Sequence, residues 1–322
     1  MTELDQDVAK LVNDLLKGDT RSLARVITRV ENRAPESMEI LRQLYPRTGK
    51  AQVIGVTGSP GSGKSSLVDR LAAAYRQKSR IVGVVAVDPS SPFTGGAILG
   101  DRIRMQTFGV DPGVYIRSMA ARGHLGGLAS ASADVVTVLD AAGKDPILVE
   151  TVGVGQDEIE IVKLADISIV VLVPGMGDDV QALKAGIMEI GDIFVINKCD
   201  RPGVEKMEHA VSAMLSLSHR ADGWDPPIIR TVATEGQGID ELIEAIGRCH
   251  QYLQSSSVRS QKKREVARQH LMSLIEERLL EKVLNDVFPD GQLDGIIEEI
   301  AERRQDPYSL VDQIIRGITL KK

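Results

Sequence analysis

The chain has 322 residues, enough for one large domain with appendages or for two domains with their own cores. Hydrophobic residues make up 43% of it, which is ordinary for a soluble globular protein. The formal net charge of −6 argues against a general nucleic-acid binder, which needs a basic face, so no nucleic-acid partner is expected.

The first 49 residues are predicted to form a helical extension. Apolar residues recur on one helical face over residues 4–16 and again over residues 23–30. Gly18 and Asp19 interrupt the pattern between these two helices, and Pro46 is expected to end a third. Acidic residues near the N-terminus are atypical of transit and signal peptides, so neither is expected.

Residues 50–254 alternate between strand-like and helix-like segments, which is typical of an α/β domain. The apolar runs are continuous, as expected for strands that are buried on both faces. This pattern predicts a doubly wound, mainly parallel sheet. The longest run is far too short to span a bilayer, so no membrane partner is expected. The six runs cover residues 53–56, 81–87, 147–149, 167–173, 193–196 and 228–229.

A glycine-rich motif follows the first predicted strand and precedes a helix-like segment. It matches the P-loop pattern G-x-x-x-x-G-K-S in full. Glycines let successive backbone N–H groups surround phosphate oxygens, and the helix N-terminus adds a favourable dipole. Lys64 is expected to reach the β- and γ-phosphates, and the Ser65 hydroxyl to bind Mg²⁺. The predicted phosphate-binding residues are Gly58, Ser59, Pro60, Gly61, Ser62, Gly63, Lys64, Ser65 and Ser66.

Two acidic residues, Asp88 and Glu150, end predicted strands beside this motif. The carboxyl ends of strands line the ligand crevice of a doubly wound sheet. A carboxylate there can hold Mg²⁺ or a metal-bound water, whereas an isolated acid in such a position more often caps a helix. Two such acids beside a P-loop favour a metal site. Glu150, which acts through metal and water, is therefore a catalytic candidate together with Lys64.

The tetrapeptide at residues 197–200 has the pattern N-K-x-D and follows a predicted strand. An aspartate carboxylate can accept hydrogen bonds from guanine N1–H and from the exocyclic N2 amine, and adenine offers neither donor there. Asp200 therefore predicts selection of GTP over ATP. Asn197 is expected to brace the loop, and the stem of Lys198 to lie over the base.

A further base-contacting loop is predicted after the next strand, at Val232, Ala233 and Thr234. Val232 stands where a serine is usual in such loops, so only backbone contacts with the base are expected. The order of the motifs along the chain is that of GTPases. The sequence therefore predicts a P-loop GTPase with GTP or GDP and Mg²⁺ as its cofactors.

The last segment, residues 255–322, is predicted to be helical again and to follow a boundary at three consecutive serines. One long amphipathic helix covers residues 266–283 and ends near Phe288. A second surrounds Ile296 and Ile297, and a third starts at Pro307. Their apolar stripes need a partner. Packing within the chain is one interpretation, and a homodimer interface is the more specific one.

Three longer motifs in the middle of the chain identify a family. They read VDPSSPFTGGAILGDR at residues 87–102, RGHLGGLA at 122–129 and ETVGVGQ at 150–156. An acidic residue on the strand after the P-loop helix, here Asp88, resembles the pattern of the GTPase class that contains signal-recognition and nickel-insertion GTPases. Within that class the chain resembles the methylmalonyl-CoA mutase-associated GTPase chaperones over nearly its whole length.

The resemblance implies a homodimeric GTPase that gates the loading of adenosylcobalamin onto an acyl-CoA mutase and protects that enzyme from inactivation. Val154 stands where Ras-like proteins carry a water-positioning glutamine. Slow hydrolysis by the protein alone is therefore expected, with a partner or a loop rearrangement completing the site.

The resemblance also implies further site residues in loops that change with the nucleotide. Asp101 is implied to join Asp88 and Glu150 around the metal. Residues 177–190 are implied to form a loop that faces the partner, although residues 179–190 also fit the next helix of the sheet. Lys184 in this segment is a candidate catalytic cation, and a solvated helix lysine is the alternative interpretation.

Two other functions compete with the chaperone. A nickel-enzyme metallochaperone would need a metal-handling cluster, but the two cysteines lack C-x-x-C spacing and the five histidines are scattered. A free-standing NTP-dependent enzyme, such as a small-molecule kinase, is disfavoured by Asp200 and by the absence of an evident acceptor site. The same cysteine usage favours a reduced, cytoplasmic setting.

Overall fold

A computed structural model describes residues 3–88, 111–120, 127–151, 164–175, 191–217, 220, 222–255, 258–288 and 292–319. Its contacts divide the chain into two compact units, Met1–Val266 and Ala267–Lys322. Among the described helices, none is long and apolar enough to cross a membrane. The division into three regions at residues 49 and 254 stays a prediction.

The larger unit is built on one sheet, and all strand pairs in its described part are parallel. The strands are β1 (Val53–Gly58), β2 (Val82–Asp88), β3 (Val114–Ala120), β4 (Ile147–Glu150), β5 (Ile167–Leu172), β6 (Ile193–Ile196) and β7 (Ile228–Arg230). Their spatial order is β3-β2-β4-β1-β5-β6-β7. The predicted α/β fold with a doubly wound parallel sheet is therefore confirmed.

Ten α-helices lie in the described residues, together with short 3₁₀ turns at Tyr45–Arg47 and Ala233–Glu235. The α-helices are α1 (Glu3–Leu16), α2 (Thr20–Glu31), α3 (Ser37–Leu44), α4 (Lys64–Gln77), α5 (Gly127–Ala141), α6 (Val204–Leu217), α7 (Ile239–Ser255), α8 (Val258–Val287), α9 (Gln292–Ala301) and α10 (Pro307–Thr319).

Helices cover both faces of the sheet, which is why the strands are apolar throughout. On one face, α4 and α7 bury side chains such as Leu71 and Leu242 against β1, β2, β4, β5 and β6. On the other face, α1–α3 share a core with α5 and with β1, β2 and β4. The N-terminal helices are thus part of the larger unit. Asp140 of α5 holds the connection to β1, because its carboxylate accepts the backbone N–H groups of Gly49 (2.5 Å) and Ala51 (3.0 Å).

Strand β3 was not among the six predicted apolar runs. It lies at the edge of the sheet and pairs only with β2 in the described structure. Most of its side chains are therefore half-buried, and polar residues such as Arg117 interrupt its apolar pattern. Arg117 forms an ion pair with Glu31 of α2, which ties this edge to the N-terminal helices.

The smaller unit contains α8 from Ala267 onward, α9 and α10. Asp306 caps α10, since its carboxylate accepts the backbone N–H of Ser309 at 2.8 Å. No apolar side chain in the described part of this unit is fully buried. Leu271, Leu279 and Ile315 are each more than half exposed, at 57%, 55% and 57%.

Candidate nucleotide-binding site

The glycine-rich loop joins the carboxyl end of β1 to the N-terminus of α4, and two of its glycines are required by close contacts. Gly58 has a φ of 145°, and a Cβ at this position would lie 2.2 Å from the carbonyl oxygen of Val171 on β5. Gly63 has a φ of 92°, and a Cβ there would lie 2.3 Å from Nδ2 of Asn197. Any side chain at either position would push the loop away from its neighbours.

Lys64 is the first residue of α4 and is 95% buried, with 5% of its surface exposed. Its Nζ donates to the carbonyl oxygens of Gly58 (2.7 Å) and Ser59 (3.1 Å). The ammonium group therefore lies inside the curve of the loop, where a phosphate group bound by the loop would meet it. Ser62 is also fully buried, whereas Pro60, Gly61 and Ser66 are exposed on the outer side.

Ser65 and Glu150 meet at the same edge of the sheet. The Ser65 hydroxyl donates to Oε1 of Glu150 at 2.6 Å, although 85 positions separate the two residues. Glu150 ends β4 and is only 4% exposed. A hydroxyl beside a carboxylate is a pair of hard oxygen ligands, which suits Mg²⁺. Asp88 ends β2, the strand next to β4.

Asn197 connects three loops of the site. Its Nδ2 donates to the carbonyl oxygen of Ser62 in the glycine-rich loop at 2.8 Å. Its Oδ1 accepts hydrogen bonds from the Thr231 hydroxyl and the Ala233 N–H, both at 3.1 Å. Asn197 is 2% exposed, so its carboxamide makes these bonds inside the protein. Asn197 thus links the three loops through its side chain.

Comparison with known proteins decides the family. The family model described as "Methylmalonyl Co-A mutase-associated GTPase MeaB" matches residues 23–287. The chain belongs to this GTPase family. A putative GTPase of Pyrococcus abyssi is 48% identical over 314 residues, which cover 97% of each chain. The family predicted from the central motifs is therefore confirmed.

Two further similarities extend the comparison. A Caenorhabditis elegans protein named "Methylmalonic aciduria type A homolog, mitochondrial" is 34% identical over 261 residues, or 75% of this chain and 65% of that protein. A solved structure described as an LAO/AO transport system kinase shares 26% identity and a TM-score of 0.70, and the match covers 99% of both chains. The latter supports the α/β P-loop fold.

The N-K-x-D motif of this MeaB-family site forms a tight loop. Lys198 has a φ of 59°, which is uncommon for a residue with a side chain, and its Nζ donates to the Gly61 carbonyl at 2.7 Å. Cys199 donates its backbone N–H to the Thr231 carbonyl at 3.1 Å, and burial raises the pKa of its thiol. Asp200 lies in the turn that follows and is exposed, so its carboxylate is accessible to the guanine base of a nucleotide.

Sequence reasoning missed two groups of contacts in this site. The Thr151 hydroxyl donates to the Thr57 hydroxyl at 3.0 Å, and both side chains are buried. This bond joins the residue before the glycine-rich loop to the residue after Glu150. The second group involves Arg70 of α4, whose guanidinium reaches the carbonyl oxygens of Ala233 and Thr234. Arg70 and Thr57 belong to no motif, and the motif that contains Thr151 does not indicate its partner, so no local signal identifies these contacts.

Several predicted positions lie outside the described residues. These are Asp101, Val154 and Lys184, and the stretch 177–190 that was predicted to face the partner. Val232 is buried between β7 and the Ala233–Glu235 turn, and pairs with Gln237 across the loop. Among the described residues, no group of three or more histidine, cysteine, aspartate or glutamate side chains could hold a metal ion.

Proposed function

We propose that this MeaB-family GTPase binds and hydrolyses GTP at the site formed by β1, β4 and β6. The observation that carries the proposal is the brace made by Asn197, whose amide joins the Ser62 carbonyl at 2.8 Å to the Ala233 N–H at 3.1 Å. A phosphate-binding loop and two base-reading loops are thereby held in one arrangement. Gly58, Gly63 and the residues around them would bind phosphate, and Val232, Ala233 and Thr234 would border the base.

The residues present fit Mg²⁺, which such a site needs. The Ser65 hydroxyl oxygen and Oε1 of Glu150 are 2.6 Å apart, and both can serve as oxygen ligands. Asp88 and Asp101 are proposed as the remaining protein ligands. When bound, the ion would neutralise negative charge on the β- and γ-phosphates. Lys64 would hold the same phosphates through its ammonium group, and Glu150 would orient the metal-bound water. Because Val154 stands where Ras-like proteins carry a water-positioning glutamine, slow hydrolysis is proposed for the protein alone.

We further propose that the partner is an adenosylcobalamin-dependent acyl-CoA mutase, and that the GTPase gates loading of the cofactor and protects the mutase. The family description names a mutase-associated GTPase, and the C. elegans relative carries the name of a methylmalonic aciduria protein. A partner that binds the GTP and GDP states with different affinity must itself change nucleotide affinity by the same factor. Lys184 is proposed to reach the phosphates when the partner docks.

The mutase proposal predicts reciprocal effects in a mixture of the two purified proteins. The mutase from the same organism should change the ratio of GTP to GDP affinity at least about fivefold, the lower end of ordinary coupling energies, and should raise the GTPase rate. Loading of adenosylcobalamin, followed by its absorbance, should differ between GTP, GDP and a non-hydrolysable GTP analogue. The variant Lys64→Ala is the matched control, because it should make loading independent of the added nucleotide.

Two results would contradict the mutase proposal: a GTPase rate that the mutase leaves unchanged, and loading that is the same with all three nucleotides. The GTPase assignment itself would survive both results, because it depends on hydrolysis by the protein alone.

We also propose that the smaller unit forms a homodimer. Its exposed apolar side chains, among them Leu271, Leu279 and Ile315, would each contribute about 2 kcal/mol on burial. Light scattering at micromolar concentration should therefore give twice the mass of the chain. The variant Leu279→Glu should shift the protein toward monomer without changing GTP affinity. Leu217→Glu, at an 83% exposed position of α6, is the control and should stay dimeric. A monomeric unmodified protein would refute the proposal.

A further inference from the structure

Arg70 connects the helix that follows the glycine-rich loop with the Ala233–Glu235 turn. The sequence motifs give no link between these two parts of the site. It lies on α4, six positions after Lys64, and its Nε donates to the Ala233 carbonyl at 3.0 Å. Its Nη2 donates to the Thr234 carbonyl. Two parallel N–H donors of one guanidinium therefore hold two consecutive carbonyl groups of the Ala233–Glu235 turn.

The same turn is held from its other side by Asn197. The Ala233 N–H donates to Asn197 Oδ1 at 3.1 Å, and Asn197 Nδ2 donates to the Ser62 carbonyl at 2.8 Å. The contacts form a closed path from the glycine-rich loop to Asn197, to the Ala233 turn, to Arg70 and back along α4 to the loop. A movement of the turn away from Asn197 would therefore also disturb its bonds to Arg70.

We infer that Arg70 is a positioning residue that sets how long a guanine nucleotide stays bound, because it fixes the last base-contacting turn to the phosphate-binding helix. The inference rests on the proposed guanine-nucleotide site. Arg70 acts through the Ala233–Glu235 turn and not through contact with base or phosphate. It reduces the freedom of Ala233 and Thr234, so that their backbone is already arranged for the base when nucleotide arrives.

The location of Arg70 separates this role from a role in folding. Arg70 is exposed, and water can replace its donors at the two carbonyl groups. The core side of α4 is formed instead by Leu67, Val68 and Leu71, all fully buried. Loss of the guanidinium should therefore loosen the turn and leave the packing of α4 unchanged.

The test uses Arg70→Met, which keeps the apolar stem and removes all donors, and Arg70→Lys, which restores one charged donor. Release of a fluorescent GDP should be about tenfold faster in Arg70→Met, as expected for loss of charge-assisted hydrogen bonds, and intermediate in Arg70→Lys. Inorganic pyrophosphate, which probes the phosphate loop alone, should bind all variants equally in calorimetry. The melting temperature without nucleotide should stay within about 2 °C of the unmodified protein, since the core is untouched.

Arg248→Met is the matched control. Arg248 is an exposed arginine of α7 that faces Glu244 one helical turn away, so the variant loses the same charge without altering the site. It should release GDP at the unmodified rate. GDP release in Arg70→Met within twofold of the unmodified protein would overturn the inference, as would an equal loss of pyrophosphate and GDP binding with a lower melting temperature. Failure of the unmodified protein to bind GDP would instead overturn the proposed function, and with it the inference.

Discussion

Lys64→Ala is expected to lower the affinity for GTP by about 100-fold or more, because the variant loses charge-assisted hydrogen bonds to two phosphate groups. In the structure, the Lys64 ammonium is buried and is held by two carbonyl groups of the glycine-rich loop, at 2.7 and 3.1 Å. A phosphate group would replace these carbonyl groups as its partner. Calorimetry with GTP and Mg²⁺ measures the loss directly.

The fold should survive this change. Lys64→Ala leaves the buried Gly58 carbonyl and the half-buried Ser59 carbonyl without this donor, at a cost of about 1–3 kcal/mol, which is a minor part of the stability of a domain of this size. Lys78→Ala is the control, because it removes the same charge at an exposed position at the opposite end of α4. A Lys64→Ala protein with unaltered GTP affinity would show that nucleotide does not bind at this loop.

Much of the fold could be predicted from the sequence because its signals are local. The glycine-rich motif needs only its own backbone and the helix that follows it, and Gly58 and Gly63 have the positive φ angles that such a loop requires. The continuous apolar strands follow from burial on both faces. Strand β3 escaped prediction because an edge strand is half-buried and carries polar side chains such as Arg117.

The unpredicted part of the site consists of contacts between distant segments. Arg70 and Ala233 are 163 positions apart, and Thr57 and Thr151 are 94 apart. An arginine on a helix or a threonine in a strand has no preferred partner in the sequence, so only the sheet order brings these pairs together. Asn197 was predicted as a brace, but its partners Ser62 and Thr231 became evident only from the fold.

Asp200→Asn is expected to invert the nucleotide preference from guanine to xanthine. The Asp200 carboxylate can accept from both N1–H and the N2 amine of guanine. In xanthine, an oxygen replaces the N2 amine. The carboxylate and this oxygen are both hydrogen-bond acceptors, so they would repel each other. An asparagine amide would still accept from N1–H through its oxygen and would donate to the xanthine oxygen through its nitrogen. The ratio of GTP to XTP affinity should therefore fall by about 100-fold or more.

Recovery of activity with XTP makes this prediction specific to base reading. Asp200 is exposed, and the exchange of one oxygen for one nitrogen changes no packing contact, so the variant should fold normally. Its hydrolysis rate should be low with GTP and return close to the original rate with saturating XTP, since the phosphate and metal residues are intact. Asp225→Asn, which alters another exposed acid, should keep the preference for GTP. If the substitution damaged the structure instead, hydrolysis of both nucleotides would be slow, and XTP would not restore the rate. If Asp200→Asn kept the original selectivity, the base would have to be read by another part of the site.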